Sequence, residues 1–109
     1  MTIITIQKRS DGSYAGFSLD GHAGSGEYGK DIVCAALSML SINTVNSLEE
    51  FTDDKFSLDA DPEKGHLSAV FEGALSHEGD LLMKSFELGV DGVYKQYGNE
   101  YLNIKLEEV

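Results

Sequence analysis

The stretch Gly21-His22-Ala23-Gly24-Ser25-Gly26-Glu27-Tyr28-Gly29-Lys30-Asp31-Ile32-Val33-Cys34-Ala35-Ala36 decides how this chain is read. It leads from a strand-like segment, through a glycine-rich loop, into an apolar, alanine-rich helix. It holds the chain's only cysteine, Cys34, and sets His22 twelve residues before it. A thiol near the start of a helix, with an imidazole on the approach to it, is the pairing that a cysteine nucleophile needs.

Upstream, Ile4 and Ile6 are separated by Thr5, the alternation of a half-buried strand. Ser10-Asp11-Gly12-Ser13 is a hairpin-type turn cluster, and Tyr14 to Asp20 returns as a second strand. Downstream, Asp31 is placed as the N-cap of a helix from Ile32 to about Glu50. Val33, Ala36, Leu37, Leu40, Val45 and Leu48 form its stripe, widened by Ile32, Ala35, Met39 and Ile42, so the helix is expected to be mostly buried. Two further strands, Lys55–Ala60 and Leu67–Glu72, flank a turn that contains the only proline, Pro62. A second helix runs from about Asp80 to Tyr97, with Leu82, Phe86, Val90, Val93 and Tyr97 near one face. Gly89 and Gly92 inside it are expected to allow close approach to another element. Tyr101 to Leu106 alternates as a final strand. The order β-β-α-β-β-α-β predicts an α+β fold, a largely antiparallel sheet with two amphipathic helices, in a single domain over residues 1–109.

The charge is strongly acidic, −11 with an isoelectric point near 4.4. Residues 1–48 carry three bases and four acids, whereas residues 49–109 carry five bases and fifteen acids. Such a surface repels phosphate backbones, so no direct nucleic-acid binding is expected, and a basic protein or peptide is the natural complement. No run is expected to span a bilayer, and the N-terminus lacks the basic start of a signal peptide. A lone cysteine suits a reducing compartment, so a cytoplasmic location is expected. Cys34, His22, His66 and His77 share no short ligand spacing, so no metal is expected.

Each candidate residue has two sides. With Asp31 as N-cap, Cys34 is the third helical residue, where the positive end of the helix dipole favours a thiolate. The bland alternative is a buried small apolar side chain. His22 sits at a loop start, as a general base or as an exposed histidine without a role; His66 and His77 fit the latter better. Asp31 caps the helix, orients His22, or does both. Ser38, one turn beyond Cys34, donates to the site or is satisfied within the helix. Gly24, Gly26 and Gly29 spell a dinucleotide-binding fingerprint, but the chain is short for a doubly wound sheet and lacks the acidic residue that should follow about 20 positions on. No nucleotide cofactor is therefore expected. Gly21, Ala23, Gly24, Gly26 and Gly29 read instead as a mobile substrate loop.

Gly21-His22-Ala23, Gly26, Gly29 and Asp31-Ile32-Val33-Cys34-Ala35-Ala36 with Ser38 resemble the signature of the ribosomal-processing cysteine proteases called Prp. The resemblance implies an endopeptidase that removes a short N-terminal extension from large-subunit ribosomal protein L-twenty-seven. It implies Cys34 as nucleophile, His22 as its partner, Asp31 and Ser38 as supporting positions, and a homodimer. It further implies cleavage after aromatic residues, hence an apolar pocket near Cys34. The competing readings are a non-catalytic acidic ribosome-assembly or binding module for a basic ribosomal protein, and a small nucleotide-binding regulator.

Overall fold

The computed structural model describes residues 1–21 and 28–109, the side chains of residues 28–31 excepted. Five strands and two helices follow the expected order: β1 (Thr2–Lys8), β2 (Tyr14–Asp20), α1 (Tyr28–Phe51), β3 (Phe56–Asp61), β4 (His66–Phe71), α2 (His77–Tyr97) and β5 (Leu102–Glu108). The strands form one sheet in the spatial order β3-β4-β2-β1-β5. Three of its four pairings are antiparallel; β5 joins β1 in parallel, Thr2 opposite Leu102.

Period-two alternation makes the sheet's inner face. Ile4 pairs with Leu19, Ile6 with Phe17, and Phe17 in turn with Ala69. These side chains are buried together with Phe71 and Leu102. Both helices pack on this face. α1 contributes Val33, Leu37, Val45 and Leu48, and α2 contributes Met83, Phe86 and Val90. Phe17 lies at the junction, its ring 4.6 Å from that of Phe86 and 6.5 Å from that of Phe71. Tyr14 fastens β2 to α2 by donating its hydroxyl to Glu87 at 2.7 Å. Burial and the Glu87 carboxylate push its phenol well up, so it stays a donor at neutral pH.

α2 begins at Ser76, whose hydroxyl accepts from Gly79 N–H, a serine N-cap. Asp54 holds that cap in place by accepting from both the Ser76 N–H, at 3.0 Å, and its hydroxyl, at 2.7 Å. Of the two glycines expected to permit close approach, Gly89 does so: a Cβ there would stand 2.9 Å from a Leu40 methyl of α1. Gly92 faces open space.

α1 departs from expectation in two respects. It starts at Tyr28, so Gly29 and Asp31 belong to its first turn and Asp31 is not its N-cap. A single helical glycine costs only about 1 kcal/mol, little beside the burial of Val33 and Leu37 that follows. The helix is also not mostly buried, because Ala35, Met39 and Ile42 are exposed. Contrary to expectation, its segment Ile32–Phe51, of mean hydropathy 1.3, is long and apolar enough to cross a bilayer by length and composition. Here that segment packs Val33, Leu37, Val45 and Leu48 into the core.

Two losses of stability are expected in urea unfolding. Phe17→Ala should cost about 3–5 kcal/mol, because it removes the ring shared by β4 and α2. Asp54→Ala should cost about 1–3 kcal/mol by leaving two donors of Ser76 without their acceptor.

Candidate active site

Val33 and Leu37 point into the core one turn apart on α1. Cys34 follows Val33, and a helix turns by 100° per residue, so its thiol falls at the margin of the buried stripe. It is accordingly free and half-buried. Cys34 is the seventh residue of α1 and lies in its second turn. The helix dipole acts within the first turn, so the helix terminus does not by itself account for a nucleophilic thiol here.

The thiol opens into a cavity of about 370 Å³ between α1 and the β2-β4-β3 side of the sheet. From α1 come Cys34, Ser38, Ile42 and Val45; from the sheet come Leu19, Leu67, Leu58 and Ala60. Pro62, Gly65 and His66 line its end at the β3–β4 turn. The surface is chiefly apolar, which agrees with the pocket expected beside Cys34 and suits an apolar or aromatic side chain. Ser38 shares this cavity with Cys34, one turn further along. Ser41 and Thr44, by comparison, donate to carbonyls of their own helix.

Gly21, at the exit of β2, is buried against the thiol: a Cβ on it would lie 3.5 Å from Cys34 Sγ. Its N–H donates to the Gly65 carbonyl at 2.8 Å. His22, Ala23, Gly24 and Gly26 lie outside the described residues, as does the side chain of Asp31. The structure thus brings together Cys34, Ser38 and Gly21 from the expected set, and places the backbone of Gly29 and Asp31 in α1. Among the described residues, no three His, Cys, Asp or Glu side chains converge as metal ligands.

His66, read from the sequence as an exposed residue without a role, lines the same cavity as Cys34. Its Nδ1 lies 2.6 Å from Asp20 Oδ1 and its Nε2 lies 3.6 Å from Asp59 Oδ2. The hydrogen bond to Asp20 raises its pKa, and the charges of Asp20, Asp59 and Asp61 add to that rise. The pairing is visible only once the β2–β4 register sets Asp20 opposite His66. His77 instead opens α2 and is exposed.

The profile of the family "Cysteine protease Prp" matches residues 1–102. The ribosomal processing cysteine protease Prp of Staphylococcus aureus is 28% identical over 106 residues, covering 96% of this chain and all of that one. A crystal structure of the essential ribosomal processing protease Prp from S. aureus in complex with a substrate peptide superposes with a TM-score of 0.90. It is 25% identical and covers 98% of this chain and all of its own. A second, with a covalently linked product peptide, gives a TM-score of 0.86 at 26% identity, with the same coverage of both chains. The lone thiol at an apolar cavity and the agreement of fold along nearly the whole chain have one explanation: this chain belongs to the Prp family of cysteine proteases.

Proposed function

We propose that the chain is an endopeptidase of ribosome maturation that removes the N-terminal extension of large-subunit ribosomal protein L-twenty-seven by Cys-His acyl transfer. The observation that carries this reading is Cys34, the sole thiol, half-buried at the wall of an apolar cavity. The S. aureus relative crystallised with a covalently linked product peptide supports covalent catalysis on this fold.

Cys34 is the nucleophile and His22 its partner. The thiolate adds to the scissile carbonyl carbon, and backbone N–H groups take up the oxyanion. Collapse of the tetrahedral adduct breaks the C–N bond, with His22 giving a proton to the leaving amine. The acyl group remains on Sγ as a thioester. His22 then takes a proton from water, which attacks the thioester and frees both the acid product and the thiol. Asp31 and Ser38 support this centre, and the segment that follows Gly21, with Ala23, Gly24 and Gly26, covers the bound peptide; Gly29 belongs instead to α1. The apolar cavity takes an aromatic side chain of the substrate adjoining the cut. The excess of acids over bases after residue 48 attracts a basic ribosomal protein. The protein works as a homodimer in the cytoplasm.

The direct test incubates the purified protein, Cys34→Ala and Cys34→Ser with the ribosomal protein carrying its extension, and follows products by mass spectrometry. A single cut by the unmodified protein alone is expected; equal cutting by both variants would end the assignment. Ile42 lines the cavity and is partly exposed. Ile42→Glu should therefore leave the fold intact and lower kcat/KM for an aromatic-bearing peptide about tenfold or more, chiefly through KM. Raising salt from low to molar concentration should raise KM for the basic substrate several-fold, as screening shortens the reach of the acidic surface. A KM independent of salt would remove the electrostatic part of this reading.

A further inference from the structure

Two strand ends meet beside Cys34. β2 finishes at Asp20 and β4 begins at His66, and the antiparallel register sets the two opposite each other. Their side chains join at 2.6 Å, Nδ1 to Oδ1. One residue on, the Gly21 N–H donates to the Gly65 carbonyl at 2.8 Å. Gly65 has φ +64°, and a Cβ there would collide with the Gly21 carbonyl, so only glycine fits this corner. On its other side Gly21 rests against Cys34 Sγ. The Gly21 backbone is thus held between the helix that carries the thiol and the Gly65–His66 corner.

A ladder that stops leaves its last pair prone to fraying. A side-chain bond across that pair restrains it where the backbone ladder ends. Exposed ion pairs ordinarily add little to overall stability, so the weight of this one lies in its position. His66 is also placed to hold on strongly. An imidazolium donates from both nitrogens, and here Nδ1 faces Asp20 while Nε2 faces Asp59 across 3.6 Å.

We propose that His66 is a positioning residue for the reaction at Cys34: through Asp20 it fixes the Gly21 backbone beside the thiol, at the point from which the chain continues to His22. The inference rests on the roles proposed above for Cys34 and His22. It extends them by one residue whose work is done through the backbone rather than on the substrate.

The groups facing His66 are Asp20 from β2 and Asp59 and Asp61 from β3. All three are acidic, and they raise its pKa in the folded protein above the value of about 6.5 expected for an unfolded chain. The restraint is fully present below the unfolded value and weakens as pH rises through the higher folded one, when Nε2 turns a lone pair toward Asp59. NMR titration of His66 should show this raised midpoint, and Asp20→Ala should lower it.

The experiment combines kinetics on an extension peptide with hydrogen exchange at the Gly21 amide in His66→Phe, Asp20→Ala and His66→Asn. Asparagine keeps a donor near the position of Nδ1. His66→Phe and Asp20→Ala should speed Gly21 exchange about tenfold or more while Phe17 and Ala69, further along the same ladder, keep their protection. They should lower kcat about tenfold or more with KM changed less than about twofold, and His66→Asn should recover kcat to within about threefold of the unmodified protein. Unmodified kcat in His66→Phe, or unchanged Gly21 exchange, would overturn the proposal and leave the protease assignment standing. So would a loss of kcat accompanied by lost protection throughout the sheet. An unmodified protein that cuts nothing, with Gly21 exchange still responding to His66→Phe, would overturn the protease reading and uphold the restraint.

Discussion

The site depends first on the seating of α1 across the sheet. Val33 and Leu37 are fully buried, and with Val45 and Leu48 they fix how the helix is rotated about its axis. Once that rotation is set, Cys34 has no freedom of direction. A rotation that brought Cys34 inward would carry Val33 out of the core, and burying a Val or Leu side chain is worth roughly 1.5–3 kcal/mol. The thiol is half-exposed because Val33 and Leu37 are not exposed at all. The other wall comes from the sheet, where the pairings of Leu19 with Leu67 and of Leu67 with Ala60 bring three strands to one apolar surface opposite the helix. The cavity is the space left between these two walls, from Cys34 and Ser38 on α1 to Leu58 and Ala60 on β3.

Much of this was legible in the residues. Alternation at Ile4 and Ile6, the turn at Asp11-Gly12, and helical spacing through Phe86 and Val90 produced the correct order of elements. The motif around Cys34 points to the family to which the chain belongs. The misreadings share a cause, since each rested on a local preference where a distant contact decides. Asp31 is a good N-cap residue, but that preference is worth only about 1 kcal/mol, and the helix extends back past it to Tyr28. Met39 and Ile42 are as apolar as Leu37, so spacing alone could not tell which of them the sheet would cover. His66 does not stand out in the sequence because its partner, Asp20, is 46 positions away in the chain. No window of sequence contains both.

The acidic residues are likewise not spread without pattern. Asp20, Asp59 and Asp61 gather around the His66 imidazole, while Asp54 serves the start of α2. Lys84 with Asp80 and Lys95 with Asp91 form ordinary exposed pairs one turn apart on α2. A net charge read from composition mixes these uses. Only the first group surrounds a residue that lines the thiol's cavity.

The parallel pairing of β1 with β5 has a consequence in time rather than in space. Thr2 lies opposite Leu102, so forming that ladder closes a loop of about 100 residues, whereas β1 and β2 meet across a short turn. Closure entropy grows only slowly with loop length, but contacts between distant residues delay folding. The β1–β2 and β3–β4 hairpins are local and can form early, and β5 must wait until its distant partner strand is in place. Leu102, fully buried beneath the helices, joins the core at that late step. Until then the inner face near Ile4 and Ile6 lacks its neighbour on one side. A chain halted at that stage would present a bare strand edge beside exposed apolar side chains, the kind of surface on which unfinished proteins aggregate.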